Sequence, residues 1–335
     1  AERAEGVARL ARVLSMRLAE VSHESDFQSS SEFIPLLRAL HVQTTLSYTG
    51  SVPALASVDL RGATARLVGS VFDEEGLGTL RSALRSTLRT GRLVRDRIST
   101  DTWRVLAALD DEVQAREEDL GRDSLGTLHE VLNRVVVRLA AFSGLVMESM
   151  TRGQAWRFLD MGRRVERAMT LLMLVRGSLS EPCPREGPLL ESVLDIADSV
   201  MTYRRRYLAT LQVAPVVDLL LTDETNPRSV IYQMEALISH IATLPNTLDG
   251  MRTPQQRIIL SVLTQLKLAD IDRLCVVGEH GGRARLSALL LDLSTQIPTL
   301  SDSLSDRYLN HATVSRHLTQ DETAYPVDHT MNGGD

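Results

Sequence analysis

Apolar residues recur at spacings of three and four along nearly the whole chain, and no run of alternating apolar and polar residues interrupts them. This periodicity predicts an all-α fold, because a helix brings every third or fourth residue onto one face whereas a half-buried strand needs every second. Caps and breakers place helices near residues 1–20, 32–48, 57–72, 77–98, 101–118, 124–176, 188–212, 214–222, 227–244, 254–276 and 283–317. Asn226 offers an acceptor to first-turn amides, and Pro227 sits where its missing N–H costs nothing. Thr253 and Gln256 form a capping-box pattern around Pro254. Ser99 or Thr100 opens a helix at a bend after Arg95, Asp96 and Arg97. After residue 318 the periodicity is lost, and 318–335 reads as a disordered tail.

At 335 residues the chain is long enough for a continuous core, and Leu dominates while aromatics supply 4%. A net charge of -6 gives no broad cationic field, which argues against nucleic acid as a partner. There is no run of about 18 apolar residues and no secretory leader, so no membrane partner is expected and the reading is cytoplasmic. Cys183 and Cys275, the only cysteines, fit neither a disulfide framework nor a thiolate metal site. The eight histidines show no metal-ligand spacing, so no metal is expected. "GEHGGRAR" (278–285) follows no strand and reads as a helix–helix turn rather than a phosphate cradle. Because the chain opens at Ala1 inside an amphipathic pattern, it reads as a piece of something longer.

The chain also repeats itself. Glu2-Arg3-Ala4 returns as Glu166-Arg167-Ala168, "LLRALHVQTTLSY" ending at Tyr48 as "LLESVLDIADSVMTY" ending at Tyr203, and "VFDEEGLGTLRS" as "LLTDETNPRS". The offsets fall steadily through 164, 155, 150 and 147. An internal duplication is the reading: two helical units about a pseudo-twofold axis, with residues 1–176 holding the first unit and the start of the second on a shared long helix, 177–188 a linker, and 189–317 the remainder. A site would lie where the units meet.

Polar residues inside the helical pattern supply the candidates. On a helix through 155–176, Phe158, Gly162, Val165, Met169 and Leu172 form the core stripe. Trp156, Leu159, Arg163, Glu166, Thr170 and Met173 form a second stripe in which a charged pair is bracketed by apolar side chains. Arg163 and Glu166 must then satisfy each other or meet partners from the other unit. Two readings stand: a structural ion pair that fixes helix register, or an anion site with Arg163 or Arg167 as donor and Glu166 as orienter or base. Arg97 lies at a helix joint. Arg205 belongs to "TYRRRY" (202–207), which suits a carboxylate or phosphate contact or a salt bridge to Asp223. Asp223 and Arg228 flank a helix start, a favourable place for an anion. His311 could join a polar cluster with Arg307 and Tyr308.

"ERAEGVARL", "VRDRISTDTWRVL", "WRFLDMGRRVERA", "SVMTYRRRY", "DETNPRSVIYQMEAL" and "LSDRYLNHA" together resemble the Alpha-E domain family, a bacterial all-helical domain of unknown function, in order over nearly the whole chain. Members resembling this one begin with a longer helix leading into the Glu-Arg-Ala word, and occur alone or fused behind a circularly permuted ATP-grasp ligase. "RAEGVARL" and "VFDEEGLGTLRS" resemble the fused form. The family's recurrent polar words fall on Glu2, Arg3, Arg97, Trp103, Arg163, Glu166, Arg167, Tyr203, Arg205, Asp223, Arg228 and Arg307. The resemblance implies a noncatalytic domain that binds a peptide or partner protein for an ATP-grasp ligase, with no cofactor of its own and with ATP and Mg held by the ligase portion. The alternative is an enzyme acting on peptides through Glu166 as base.

Overall fold

The computed structural model describes residues 1–21, 23–47, 50, 58–117, 124–207, 210–245, 251–279 and 281–309. Tyr48, His311 and the tail 318–335 lie outside them. Among the described residues every long element is a helix and no strand occurs. The first group is α1 (Glu2–Ala19), α2 (Glu24–Ser29), α3 (Phe33–Thr45), α4 (Leu60–Phe72), α5 (Leu80–Leu93), α6 (Thr100–Glu117) and α7 (Ser124–Ser149). The second is α8 (Gln154–Leu179), α9 (Glu186–Ile196), α10 (Val200–Tyr207), α11 (Val213–Leu221), α12 (Val230–Ala242), α13 (Pro254–Lys267), α14 (Ile271–Cys275) and α15 (Ala284–Tyr308). None of these helices is long and apolar enough to cross a membrane.

Two helices organise the packing. α1 lies against α3, α4, α5 and α7, and α8 lies against α11, α12 and α15. α1 and α8 also pack on each other, and α3 packs along α8. One core therefore runs through both groups: Ala4, Leu10, Ala11 and Leu14 of α1, and Ala168, Leu172 and Val175 of α8, are fully buried within it. Each buried leucine contributes about 1.5–3 kcal/mol relative to exposure. Val165, Met169 and Leu172 bury as the core stripe requires, but Gly162 is exposed and Phe158 only half-buried.

The helix expected over 124–176 is two helices. At residues 150–153 the guanidinium of Arg152 donates to the carbonyls of Met147 and Met150 at the end of α7, and stacks over Trp156 in the first turn of α8. Gly153 takes an extended backbone as the N-cap of α8. The helix expected over 188–212 likewise breaks where Asp198 turns left-handed (φ 54°), a conformation open to Asp. The helix expected over 254–276 stops at Lys267 and restarts at Ile271, where Asp270 accepts the amide of Arg273. The capping box of Thr253 and Gln256 forms. Ser99 accepts the amide of Thr102 at the start of α6. The cap of α12 is not Asn226 but Ser229, because Asn226 accepts from Arg228 N and donates to Leu219 O, leaving the hydroxyl three residues on to meet Tyr232 N.

The loops before α5 and α12 are built by the same bonds. Asp73 Oδ1 accepts the amide of Glu75, and Asp223 Oδ1 that of Thr225, each at 2.9 Å. The Thr79 hydroxyl donates to Asp73 O and accepts from Ser82 N; the Ser229 hydroxyl donates to Asp223 O and accepts from Tyr232 N. These positions differ throughout by 150 residues. The register of α5 on its cap is thereby the register of α12 on its own.

Candidate functional site

Where α1 crosses α8, the two Glu-Arg-Ala words exchange partners. Arg167 forks onto Glu2, with Nε and Nη2 each 2.9 Å from a carboxylate oxygen. Arg3 forks onto Glu166, Nε at 3.0 Å and Nη2 closing the second bond. Ala4 and Ala168, the third letters, are both fully buried. Gly6 faces Thr170, the residue 164 positions further on, so closely that a Cβ on Gly6 would sit 2.2 Å from the threonine methyl. This approach draws the helices near enough for both forks to close.

The two forks differ in solvation. Glu2 keeps 5% of its side-chain surface and Arg167 22%, whereas Arg3 and Glu166 keep 30% and 36%. Charge-assisted forks in the drier setting are the stronger ones. Arg163 gives its Nε to Glu2 at 2.9 Å, and its two terminal nitrogens make no hydrogen bond among the described residues. Glu2, Arg3, Arg163, Glu166 and Arg167 thus carry one surplus positive charge.

The network continues along α1. Glu5 accepts from Arg9 at 2.8 Å and from Arg228 at 3.3 Å. Arg228 also donates to Asp198, which the left-handed turn between α9 and α10 carries towards it. Burial alone would push the Glu5 carboxyl up, but the charges of Arg228 and Arg9 outweigh it and hold the group below its ordinary value. On the earlier turns of α8, Asp160 Oδ2 meets His240 Nε2 at 2.9 Å and Arg164 Nε at 3.1 Å, and Arg164 reaches Gln233. Burial again opposes ionisation of Asp160, and the His240 and Arg164 contacts overcome it, so its pKa is lowered.

A cleft of about 350 Å³ opens beside the paired words. Ala83, Leu106, Phe142 and Leu159 give it an apolar floor, and Thr87, Thr90 and Arg163 line it with polar groups. Among the described residues no three His, Cys, Asp or Glu side chains gather to hold a metal ion. Both oxygens of Glu166 lie in the Arg3 fork, so the carboxylate is engaged as an ion-pair acceptor.

The structure brings together Arg163, Glu166 and Arg167, and links Arg228 to them through Glu5. Arg163 and Glu166 do not bond each other; each takes its partner from α1. Arg97 is exposed on a 3-10 turn and pairs with neighbouring Asp96, and Trp103 stacks under Arg95. Arg205 is exposed on α10. It is Arg206 that binds Asp223, whose pKa is lowered against its burial by Thr225 and Arg206. Tyr203 is buried and donates to Thr210 O, while Arg307 lies beside Tyr308. Between α14 and α15 the Gly278 amide donates to Gly282 O, and the buried Arg283 that follows donates to the carbonyls of Leu179 and Cys275 and to Glu186. Sequence reasoning missed Glu5, Arg9, Asp160, Arg164 and His240. The spacings Glu5–Arg9 and Asp160–Arg164 are helical i,i+4 pairs and were the available signal.

Residues 1–309 match the Alpha-E family, described as a predicted alpha-helical domain with a conserved ER motif. An uncharacterized protein of Mycobacterium bovis is 31% identical over 314 residues, covering 91% of this chain and 35% of the relative. An uncharacterized protein of Mycobacterium tuberculosis strain H37Rv is 30% identical over the same length and shares. The chain thus spans about a third of the length of the curated relatives it matches. No solved structure matches it. The ER motif of the family description stands twice in this sequence, at Glu2-Arg3 and Glu166-Arg167, and with 309 of its residues matched the chain belongs to the Alpha-E family.

Proposed function

We propose that this chain is a noncatalytic binding domain of two related helical units, which holds a peptide or partner protein for an ATP-grasp peptide or amide ligase in the cytoplasm. The ATP-grasp portion, fused or separate, would bind ATP and Mg; this chain would position the acceptor. One observation carries the reading: the carboxylates at the α1–α8 crossing are engaged by arginines, and an apolar cleft with a polar wall lies open beside them. Such a cleft suits recognition, with apolar surface for affinity and a few polar groups for orientation. The repeated bonds before α5 and α12 support two related units.

An enzyme using Glu166 as base is the weaker reading, since Arg3 stabilises the carboxylate and occupies both its oxygens. The test places Arg163→Met and Glu166→Gln, singly, in the ligase that contains or pairs with this domain. Ligation should fall at least about tenfold in Arg163→Met with ATP binding and the thermal melt retained. Unchanged ligation in both variants, or loss accompanied only by unfolding, rejects the binding role for this wall.

A further inference from the structure

A second cavity, of about 190 Å³, lies where the last turns of α3 and α4 meet the loop into α5. Thr44 and Thr45 bring the end of α3 to it, and Gly69, Ser70 and Asp73 the end of α4. Two helix C-termini converge there, and their carbonyl ends favour positive charge. The four hydroxyls that line the cavity among the described residues all give their protons to the backbone. Thr44 donates to Leu40 O, Thr45 to His41 O, Ser70 to Leu67 O and Thr79 to Asp73 O. Each can therefore offer a ligand only lone pairs. Burial, and then the charge of Arg66, hold His41 below its ordinary pKa, so its ring adds no charge at neutral pH.

The other half of the molecule has side chains where this cavity is empty. At an offset of 150 residues Asp223 stands for Asp73, Asn226 for Gly76 and Leu219 for Gly69. There the Asn226 amide donates to Leu219 O, and Arg206 donates to Asp223 Oδ2. In the first half Gly69 and Gly76 both line the cavity, and Asp73 Oδ2 accepts no bond among the described residues. Asp73 is accordingly exposed where Asp223 is buried. Two planar N–H donors, one of them a guanidinium, thus fill in one half the place that is vacant in the other.

We infer that this cavity binds arginine, with the ligand's guanidinium against Asp73 and its carboxylate against Arg66. A guanidinium carries donors only, in a planar fork, and the inner wall presents acceptors only. Arg66 lies exposed on the same face of α4, two turns before Asp73 and about 10 Å along the axis, a spacing that suits the two ends of an extended arginine. The volume is that of one side chain rather than of a drug-sized ligand, for which about 300–1,000 Å³ is usual. Free arginine and a peptide ending in arginine share this chemistry. The site is separate from the α1–α8 crossing, and its test is independent of the role proposed there.

Calorimetric titration of the whole chain with L-arginine should show one saturable site. Citrulline, its uncharged isostere, and agmatine, which lacks the carboxylate, should each bind at least about tenfold more weakly. Glycyl-glycyl-arginine identifies the source: binding tighter than free arginine assigns the site to a peptide C-terminus, and weaker binding to the amino acid. Asp73→Asn keeps an oxygen for the Glu75 amide, and a Cβ on Gly69 would meet nothing within 4 Å. Both Asp73→Asn and Gly69→Leu should therefore keep the thermal melt while weakening arginine about tenfold or more. Arg66→Gln should abolish the advantage of arginine over agmatine. No saturable heat up to about 10 mM arginine, citrulline binding as tightly as arginine, or unchanged affinity in both Asp73→Asn and Gly69→Leu overturns the proposal. Agmatine binding as tightly as arginine overturns the assignment of Arg66. Should either variant unfold, the comparison of arginine with citrulline on the parent chain decides.

Discussion

A glutamate buried beside two arginines and one half-exposed beside a single arginine use the same chemistry with different consequences. Glu2 sits at 5% exposure under the Arg167 fork and the Arg163 Nε. Neutralising it leaves two guanidinium groups close together without their shared anion. Glu2→Gln should destabilise the fold by about 2–4 kcal/mol, because removing one partner of a largely buried pair leaves the other charge uncompensated. A double-mutant cycle in urea separates the forks: the Glu2–Arg167 coupling should exceed about 1.5 kcal/mol, and the more solvated Arg3–Glu166 coupling should stay near or below 1 kcal/mol. Equal couplings would mean that solvation does not rank them. The Glu-Arg-Ala words were legible in the sequence as polar letters within a buried face. Their partners were not, because i,i+3 spacing allowed Arg163 and Glu166 to satisfy each other as readily as to reach α1. Only the crossing of two helices some 164 residues apart decides between those pairings.

At the scale of the helix, hydrophobic period made the elements legible while their interruptions stayed hidden. The period is a property of many residues, whereas a break needs only one turn. Asp198 turning left-handed, or Arg152 reaching back onto the carbonyls of α7, leaves the apolar spacing on either side nearly in phase. The same limit misplaced the cap of α12, since Asn226 and Ser229 are both good acceptors and the choice depends on Leu219 O being near the Asn226 amide. Ser229→Ala should therefore cost about 1 kcal/mol, or more given its buried bond to Asp223 O, in a chemical melt, whereas Asn226→Ser should act through the loop rather than the cap. The α1–α8 approach gives a sharper test. With a Cβ at 2.2 Å from the Thr170 methyl, Gly6→Ala has to push the helices apart or turn the threonine, at about 1–3 kcal/mol. Thr170→Ser removes that methyl, so the double variant should recover most of the loss; no recovery would place the clash elsewhere.

The whole molecule is joined by carboxylates that tie distant segments, and this makes its stability respond to acid as a unit. Glu5 links α1 to the loop before α12, Asp160 links α8 to α12, and Asp223 links that loop to α10. Burial raises the pKa of each, and each is nonetheless held below its ordinary value, 4.5 for Glu5 and 3.8 for the two aspartates, by its arginine, histidine or threonine partners. The unfolded chain therefore binds these protons at higher pH than the folded one. Their contribution is complete above the ordinary values and is lost as pH falls through the lower, folded ones. Urea midpoints measured at successive pH values should be level above about pH 5.5 as far as these groups are concerned, then fall increasingly steeply below about pH 4.5. Glu5→Gln lowers the neutral-pH midpoint by leaving Arg9 and Arg228 without their acceptor, yet it also removes one of the protons taken up on acid unfolding. Its midpoint should consequently depend less on pH than that of the parent, so that the two curves converge as pH falls. Parallel curves would show that Glu5 is protonated alike in the folded and unfolded chains, and the linkage of α1 to Arg228 would then have to be carried by contacts other than charge.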